Sequence, residues 1–377
     1  MASRLYPTTR ALFRQVVRLL KSLGLRAGLS PLVFSLVAIY ITGLLLLDRR
    51  QNGTRIAAWL PARAHDALNR LLRTHALSTR SLMRTVRRYA KQLGTGYLAL
   101  DDVVVDKPFC RCIPWVGWTY STTQRRYVRG FHIVVLLWCT GSWRIPVAFR
   151  LWRPKANCRP NRYRTKTQLA WAMMVEVYQE RLPVEYVVFD TLYTAGWMTK
   201  RINRLGWTWV GVLHPRTTVC YYKRRWAAAS LGDWLHLKWR ARLHLRARSI
   251  VAYLPSYGTL RLVVTKNRHG NAEVLATNDL DSSLTTIVLR KRSRWSVETL
   301  FRDAKQFSGL AACQCRVDQA LVRHVAFVLL AFIVLQQLRL HPKETLGEVK
   351  DRLQREVMTG GLPAPAPLKG KVALELL

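Results

Sequence analysis

Acidic residues are what this chain has least of. Asp and Glu number 21 against 61 Lys and Arg, so the formal charge is +40 and the pI is near 11.1. A charge of that size repels itself, which disfavours a globule with no anionic partner. The cations run from end to end rather than filling one tail. That favours a folded protein held against nucleic acid over a domain with a basic arm, with anionic lipid as the competing partner. Cysteine is also sparse. Cys110, Cys112, Cys139, Cys158, Cys220, Cys313 and Cys315 make an odd set with two Cys-x-Cys pairs. With no secretory signal, this argues for a reduced, intracellular protein and against a disulfide framework. The Cys-x2-Cys spacing of zinc knuckles is missing, which weighs against a zinc site at Cys110, Cys112, Cys313 and Cys315.

Long apolar runs are also scarce. The best, residues 31–47, is broken by Ser35, Thr42 and Gly43 and falls just short of the 18 or so residues a span requires. It follows an Arg-rich segment with no acidic residue. We read it as a buried helix in an N-terminal helical domain rather than a membrane helix. A second run, 325–335, is too short to span. No internal repeat is visible. What the chain does have is length, 377 residues, and a hydrophobic half, enough for two or three domains around a substantial core.

Residues 1–95 read as basic helices. They suit either a helix-turn-helix-like DNA-reading unit or a plain supporting bundle. From Gly96 the texture turns to strands. Two apolar runs, 97–105 and 186–191, each carry aspartate: Asp101 with Asp102 in the first, Asp190 in the second. Both read as buried strands. An unpaired buried carboxylate costs several kcal/mol, so these aspartates are best explained at strand ends, facing a cleft with a cation for company. Between them come a polar, aromatic stretch through 119–123, strands at 131–138 and 143–152 around a Thr140-Gly141-Ser142 turn, and a helix at 168–181. This order fits a mixed-sheet α/β unit. A helix at 194–205 and a strand at 207–213 complete the segment 96–214. Residues 215–290 are strand-like and strongly basic, with a hairpin signal at 267–271 and Trp226, Trp234 and Trp239 among the cations. Asp106 reads as a loop charge and His132 as a satisfied core residue.

Residues 291–310 have the spacing of an amphipathic helix, with Ser293 or Ser296 as a cap and Gly309 as a stop. Arg294, Glu298, Arg302 and Lys305 fall on one stripe. Two aspartates and a helix-borne glutamate make a set of hard oxygen ligands suited to Mg²⁺ or Mn²⁺ in phosphoryl chemistry. An apolar helix at 322–338 closes the segment 291–340. A last helix at 345–358 and a Pro/Gly/Ala tail from 360 complete 341–377.

These residues resemble the DDE transposases of bacterial insertion sequences. One branch of that family carries Tyr-x2-Arg-x3-Glu-x6-Lys around its glutamate. Arg294-x3-Glu298-x6-Lys305 matches it, with Lys291 in place of the Tyr. FSGL at 307–310 and Arg323-His324 are also typical in kind, and the likeness covers about 96–340. The resemblance implies an RNase H-like mixed sheet with helices on both faces, interrupted at 215–290 by a β-rich insertion that grips a transposon end. The helical N-terminal domain precedes it. It implies that Asp101, Asp190 and Glu298 hold two divalent ions. Asp102 competes with Asp101 for the first position, and Val103 stands where the family favours Thr or Ser. Arg294 and Lys305 would hold phosphates beside the scissile bond, with Arg302, Lys291 and Lys107 as further DNA-binding candidates. The activity implied is metal-dependent cleavage at insertion-sequence ends and strand transfer into target DNA. The partners implied are double-stranded DNA with inverted repeats and a second copy of the chain in a synaptic homodimer, in the cytoplasm at the nucleoid with no membrane. The alternative is a catalytically silent nucleic-acid-binding relative.

Overall fold

A computed structural model of the chain describes residues 7–48, 51–60, 65–113, 115–121 and 124–359; the expected tail from 360 lies outside them. Five helices come first: α1 (Pro7–Ser22), α2 (Pro31–Leu46), α3 (Gly53–Trp59), α4 (His65–Arg73) and α5 (Thr79–Gln92). Ser30, Asn52 and Ser78 cap α2, α3 and α5 by accepting backbone N–H bonds, so polar side chains satisfy donors that the first turn leaves open.

The strands follow: β1 (Gly96–Asp106), β2 (Gly117–Ser121), β3 (Arg126–Thr140) and β4 (Trp143–Trp152). Next come α6 (Lys166–Gln179), β5 (Val184–Phe189), α7 (Gly196–Arg204) and β6 (Thr208–Val212). Thr165 and Gln168 close a capping box on α6. The segment from 215 contributes β7 (Thr218–Tyr221), β8 (Arg224–Ala227), the short α8 (Leu231–Trp234), β9 (Lys238–Arg240), β10 (Leu245–Leu254), β11 (Gly258–Lys266) and β12 (Ala272–Thr277). The chain then closes with α9 (Leu284–Ser293), α10 (Trp295–Phe307), α11 (Asp318–Gln337) and α12 (Leu346–Thr359).

All the strands join one mixed sheet, in the order β2-β3-β1-β5-β6-β12-β11-β10-β7-β8, with β4 also on β3 and β9 on β10. The pairs β1–β5 and β5–β6 are parallel and the rest antiparallel. The basic meander therefore extends the central sheet through the β12–β6 pairing of Leu275 with Val212. Val, Leu and aromatic residues recur along β1, β3 and β5, as suits strands at the centre of a sheet.

The run at 31–47 forms α2, which is buried along most of its length. It packs against α11 through Tyr40 Oη, 2.9 Å from His324 Nδ1. Arg323, also on α11, donates to the carbonyls of Leu71, Leu72 and His75 at the end of α4. One continuous core accordingly joins α1, α2, the sheet, α11 and α12. The second apolar run proves longer than its sequence suggested. Its helix α11 has 20 residues, enough by length and composition to cross a membrane, yet 83% of its apolar window is buried inside this fold.

Candidate active site

The register of β1 against β5 makes the site. Leu100 pairs with Phe189, the last residue of β5, while β1 continues to Asp106 along β3. Asp101 and Asp102 therefore lie where the β5 side of β1 is open, and Asp190 is the first residue past β5. This corrects one expectation. Asp190 does stand at a strand end, but Asp101 is in mid-strand, and the cleft exists because its neighbour stops short. Asp106 is likewise the last residue of β1 rather than a loop charge, and it accepts a bond from Gln124.

Successive side chains on a strand face opposite ways, and the two aspartates have different company. On one face, Arg294 bonds Asp101 through Nη1 and Glu298 through Nη2. Tyr97 Oη, 2.8 Å from Ser296 Oγ, ties α10 to the same face of β1. Lys305 Nζ reaches the Val104 carbonyl at 3.1 Å. The expected single helix at 291–310 is in fact two, α9 and α10, joined at Arg294. Neither Ser293 nor Ser296 caps α10, whose N-cap is Arg294 with no side-chain bond. That break places Glu298 in the first turn of α10, where open backbone N–H groups favour a carboxylate. Gly309 ends the helix as expected, at φ +73.

On the opposite face, Asp102 accepts from Lys166 Nζ at 2.6 Å and Tyr193 Oη at 2.9 Å, and lies 2.9 Å from His132 Nδ1. The other ring nitrogen of His132 is 2.6 Å from Thr119 Oγ1. His132 is thus a satisfied buried residue, as its sequence context suggested, but its partner is a site carboxylate. Lys166 and Tyr193 escaped the sequence reading. Only the strand register and the α6 capping box aim them at Asp102, and neither belongs to a local motif.

The electrostatics separate the carboxylates. Burial and the nearby Asp190 charge push Asp101 up to about 7, against the pull of Arg294 and the Asp102 N–H. Asp190 is also raised, by burial first, although Arg294 and the Tyr193 and Leu192 N–H groups oppose it. Burial would raise Asp102 too, but the His132 bond and the Lys166 charge outweigh it and hold its carboxyl low. Asp102 is therefore a settled anion, whereas Asp101 and Asp190 are both raised, by burial first and then by a nearby carboxylate.

A cavity opens here, lined by Asp101, Asp102, Asp190, Lys166, Lys305 and Tyr120 among others. The remaining cationic candidates point elsewhere. Arg302 pairs with its neighbour Asp303 at 3.0 Å, Lys291 with Glu273 at 2.7 Å, and Lys107 with the Cys313 carbonyl. Among the described residues, no three of His, Cys, Asp or Glu close around one point as a metal group. That holds for the four Cys-x-Cys cysteines. It holds also for Asp101, Asp190 and Glu298, because the Arg294 guanidinium lies between two of them. The donor chemistry nevertheless suits a hard divalent cation: carboxylate oxygens from three elements, two of them raised by burial first and then by a neighbouring carboxylate, a cost that a dication would relieve.

Residues 34–241 match the family model described as DDE superfamily endonuclease. The match spans more than half of the chain, and the chain belongs to this family. It includes Asp101, Asp102 and Asp190 and ends just past β9, so Glu298 lies outside the matched residues. Family membership carries an endonuclease fold and DNA as the substrate class. No curated protein matches the chain.

Proposed function

We propose that the chain is a transposase of the DDE type, cutting DNA at the ends of an insertion sequence and joining those ends to target DNA. The observation that carries this reading is the meeting of Asp101 and Glu298, far apart in sequence, on one guanidinium beside Asp190. Asp101, Asp190 and Glu298 would hold two Mg²⁺ or Mn²⁺ ions, which supply an activated oxygen nucleophile and stabilise the leaving oxygen. Asp101 is preferred over Asp102 as a ligand because Asp102 is already engaged by three side chains. Lys166 and the Tyr193 hydroxyl fix Asp102 and so keep β1 in place beside the site. Lys305, whose ammonium is partly desolvated against the Val104 carbonyl, lies where it would meet a phosphate entering the cavity. Arg294 would exchange its carboxylate contacts for phosphate oxygens, its bidentate fork suiting either partner.

The Arg-x3-Glu-x6-Lys pattern is the support for the insertion-sequence branch, and joining two ends in one reaction calls for at least two copies of the chain. The domains proposed are a helical 1–95, a catalytic unit split into 96–214 and 291–340 around a basic β-rich insertion at 215–290, and a C-terminal 341–377. Residues 1–95 would contribute DNA contacts through their exposed arginines, and the site of action would be the nucleoid. The test is incubation of the purified protein with Mg²⁺ or Mn²⁺ and DNA carrying the inverted repeats that flank its own gene. Nicking and joining are expected. Binding without either, under both metals, would favour the silent relative.

A further inference from the structure

The polar, aromatic stretch expected at 119–123 overlaps β2 (Gly117–Ser121), whose outer face is unusual; residues 122 and 123 lie outside the described residues. Trp118 is 70% exposed, Tyr120 49% and Tyr127 71%. In the β2–β3 hairpin Tyr120 sits opposite Tyr127, and Trp118 opposite Arg129. Paired residues of an antiparallel ladder share a face, so these four side chains line one face, with Thr119 and the buried Ser121 on the other. The two tyrosine rings meet edge to face at 5.5 Å. Three large aromatics in water, two on the edge strand β2 and one on β3, are costly to leave uncovered unless they have a partner.

Position and charge say what that partner is. Tyr120 lines the carboxylate cavity, and Trp118 lines a second, neighbouring pocket with Arg111 and Arg129. The aromatic face thus touches both the site, through Tyr120, and a pocket carrying two arginines, through Trp118. Arg125 and Arg126 flank it, and both are exposed. No acidic residue occurs between Asp106 and Glu176. A protein partner would have to bury those cations against its own acids. An unpaired DNA strand supplies flat bases for the rings and phosphates for the guanidinium groups.

We propose that the β2–β3 face is a stacking platform for unpaired nucleotides flanking the phosphodiester held in the carboxylate cavity. Two strand residues advance about 7 Å, so Tyr120 and Trp118 present successive ring surfaces to an extended strand leading into the second pocket. The identity of that phosphodiester rests on the transposase reading; the platform itself does not.

The test uses the full-length protein in EDTA, so that binding is read without cutting. Fluorescence anisotropy would compare a fluorescent oligothymidylate, a plain duplex, and a duplex with an unpaired flank. Trp118→Ala and Tyr127→Ala change exposed side chains, and circular dichroism verifies that each folds. Each variant is expected to weaken binding of the two probes with unpaired bases by about fivefold or more, and of the plain duplex by less than twofold. Trp118→Phe should restore most of the loss. Equal losses on all three probes, no loss, or a change of oligomeric state with unchanged binding would each overturn the proposal. A protein that shows the selective losses yet never cuts with metal would sink the transposase reading and leave the platform standing. One that cuts normally with both rings removed and binding unchanged would do the reverse.

Discussion

At the residue scale, the site sorts acidic groups by their neighbours rather than by their position in the chain. Asp101 and Asp102 are adjacent, yet one is pushed up to about 7 and the other is held down. The difference is which face of β1 each occupies. The same logic applies outside the site at Asp279, ahead of α9. Burial would raise its carboxyl, but bonds from the Ser282 hydroxyl, Arg290 and two backbone N–H groups bring it down to about 2. A carboxyl lowered on folding adds stability above its unfolded value, near 3.9, and loses it as pH falls through the folded value. Asp279→Asn should therefore cost about 1–2 kcal/mol at pH 7. The gap from wild type should shrink between about pH 4 and pH 2. Urea unfolding at several pH values measures this, and a pH-independent gap would contradict it.

At the element scale, α2 meets α3 without room to spare. A Cβ added at Gly43 would collide with the Ile56 side chain, in a core where both residues are buried. Gly43→Ala should lower stability by about 1–3 kcal/mol. Combining it with Ile56→Ala should cost less than the sum of the single changes, because the smaller partner vacates the contact. Thermal melts of the four proteins check this, and strict additivity would contradict it.

Much at this scale was legible in the sequence. The aspartate strands, the turn at Gly141, the Asn267 hairpin and the helix stop at Gly309 all follow from local pattern and backbone chemistry. β2 was not legible, because its aromatics face water and no apolar side marks it as a strand. The break at Arg294 was hidden too, since the helical spacing runs through it unbroken. The roles of Lys166, Tyr193 and His132 depend on which strands pair, and that register is set by long-range contacts. Arg302 shares the helical stripe of Glu298 and Lys107 follows the first aspartate strand, but nearby groups engage them first.

At the scale of the whole molecule, the +40 charge and the single sheet act together. The carboxylate cleft sits in a chain whose cations outnumber its acids 61 to 21. DNA binding should therefore be strongly salt-dependent. If six to ten phosphates are neutralised, affinity should fall by about 10³–10⁵ between roughly 50 and 200 mM salt. Filter binding across that range measures the slope, and a flat response would contradict a phosphate-led interface. The proposed chemistry requires Asp101, Asp190 and Glu298 to work as one ligand set. Calorimetric titration of Mn²⁺ into the full chain, with Asp101→Asn, Asp190→Asn and Glu298→Gln beside the wild type, asks this without any need for cleavage. Each substitution should weaken Mn²⁺ binding by about tenfold or more, since each removes one of few anionic ligands. Equal Mn²⁺ affinity in wild type and all three variants would contradict the claim.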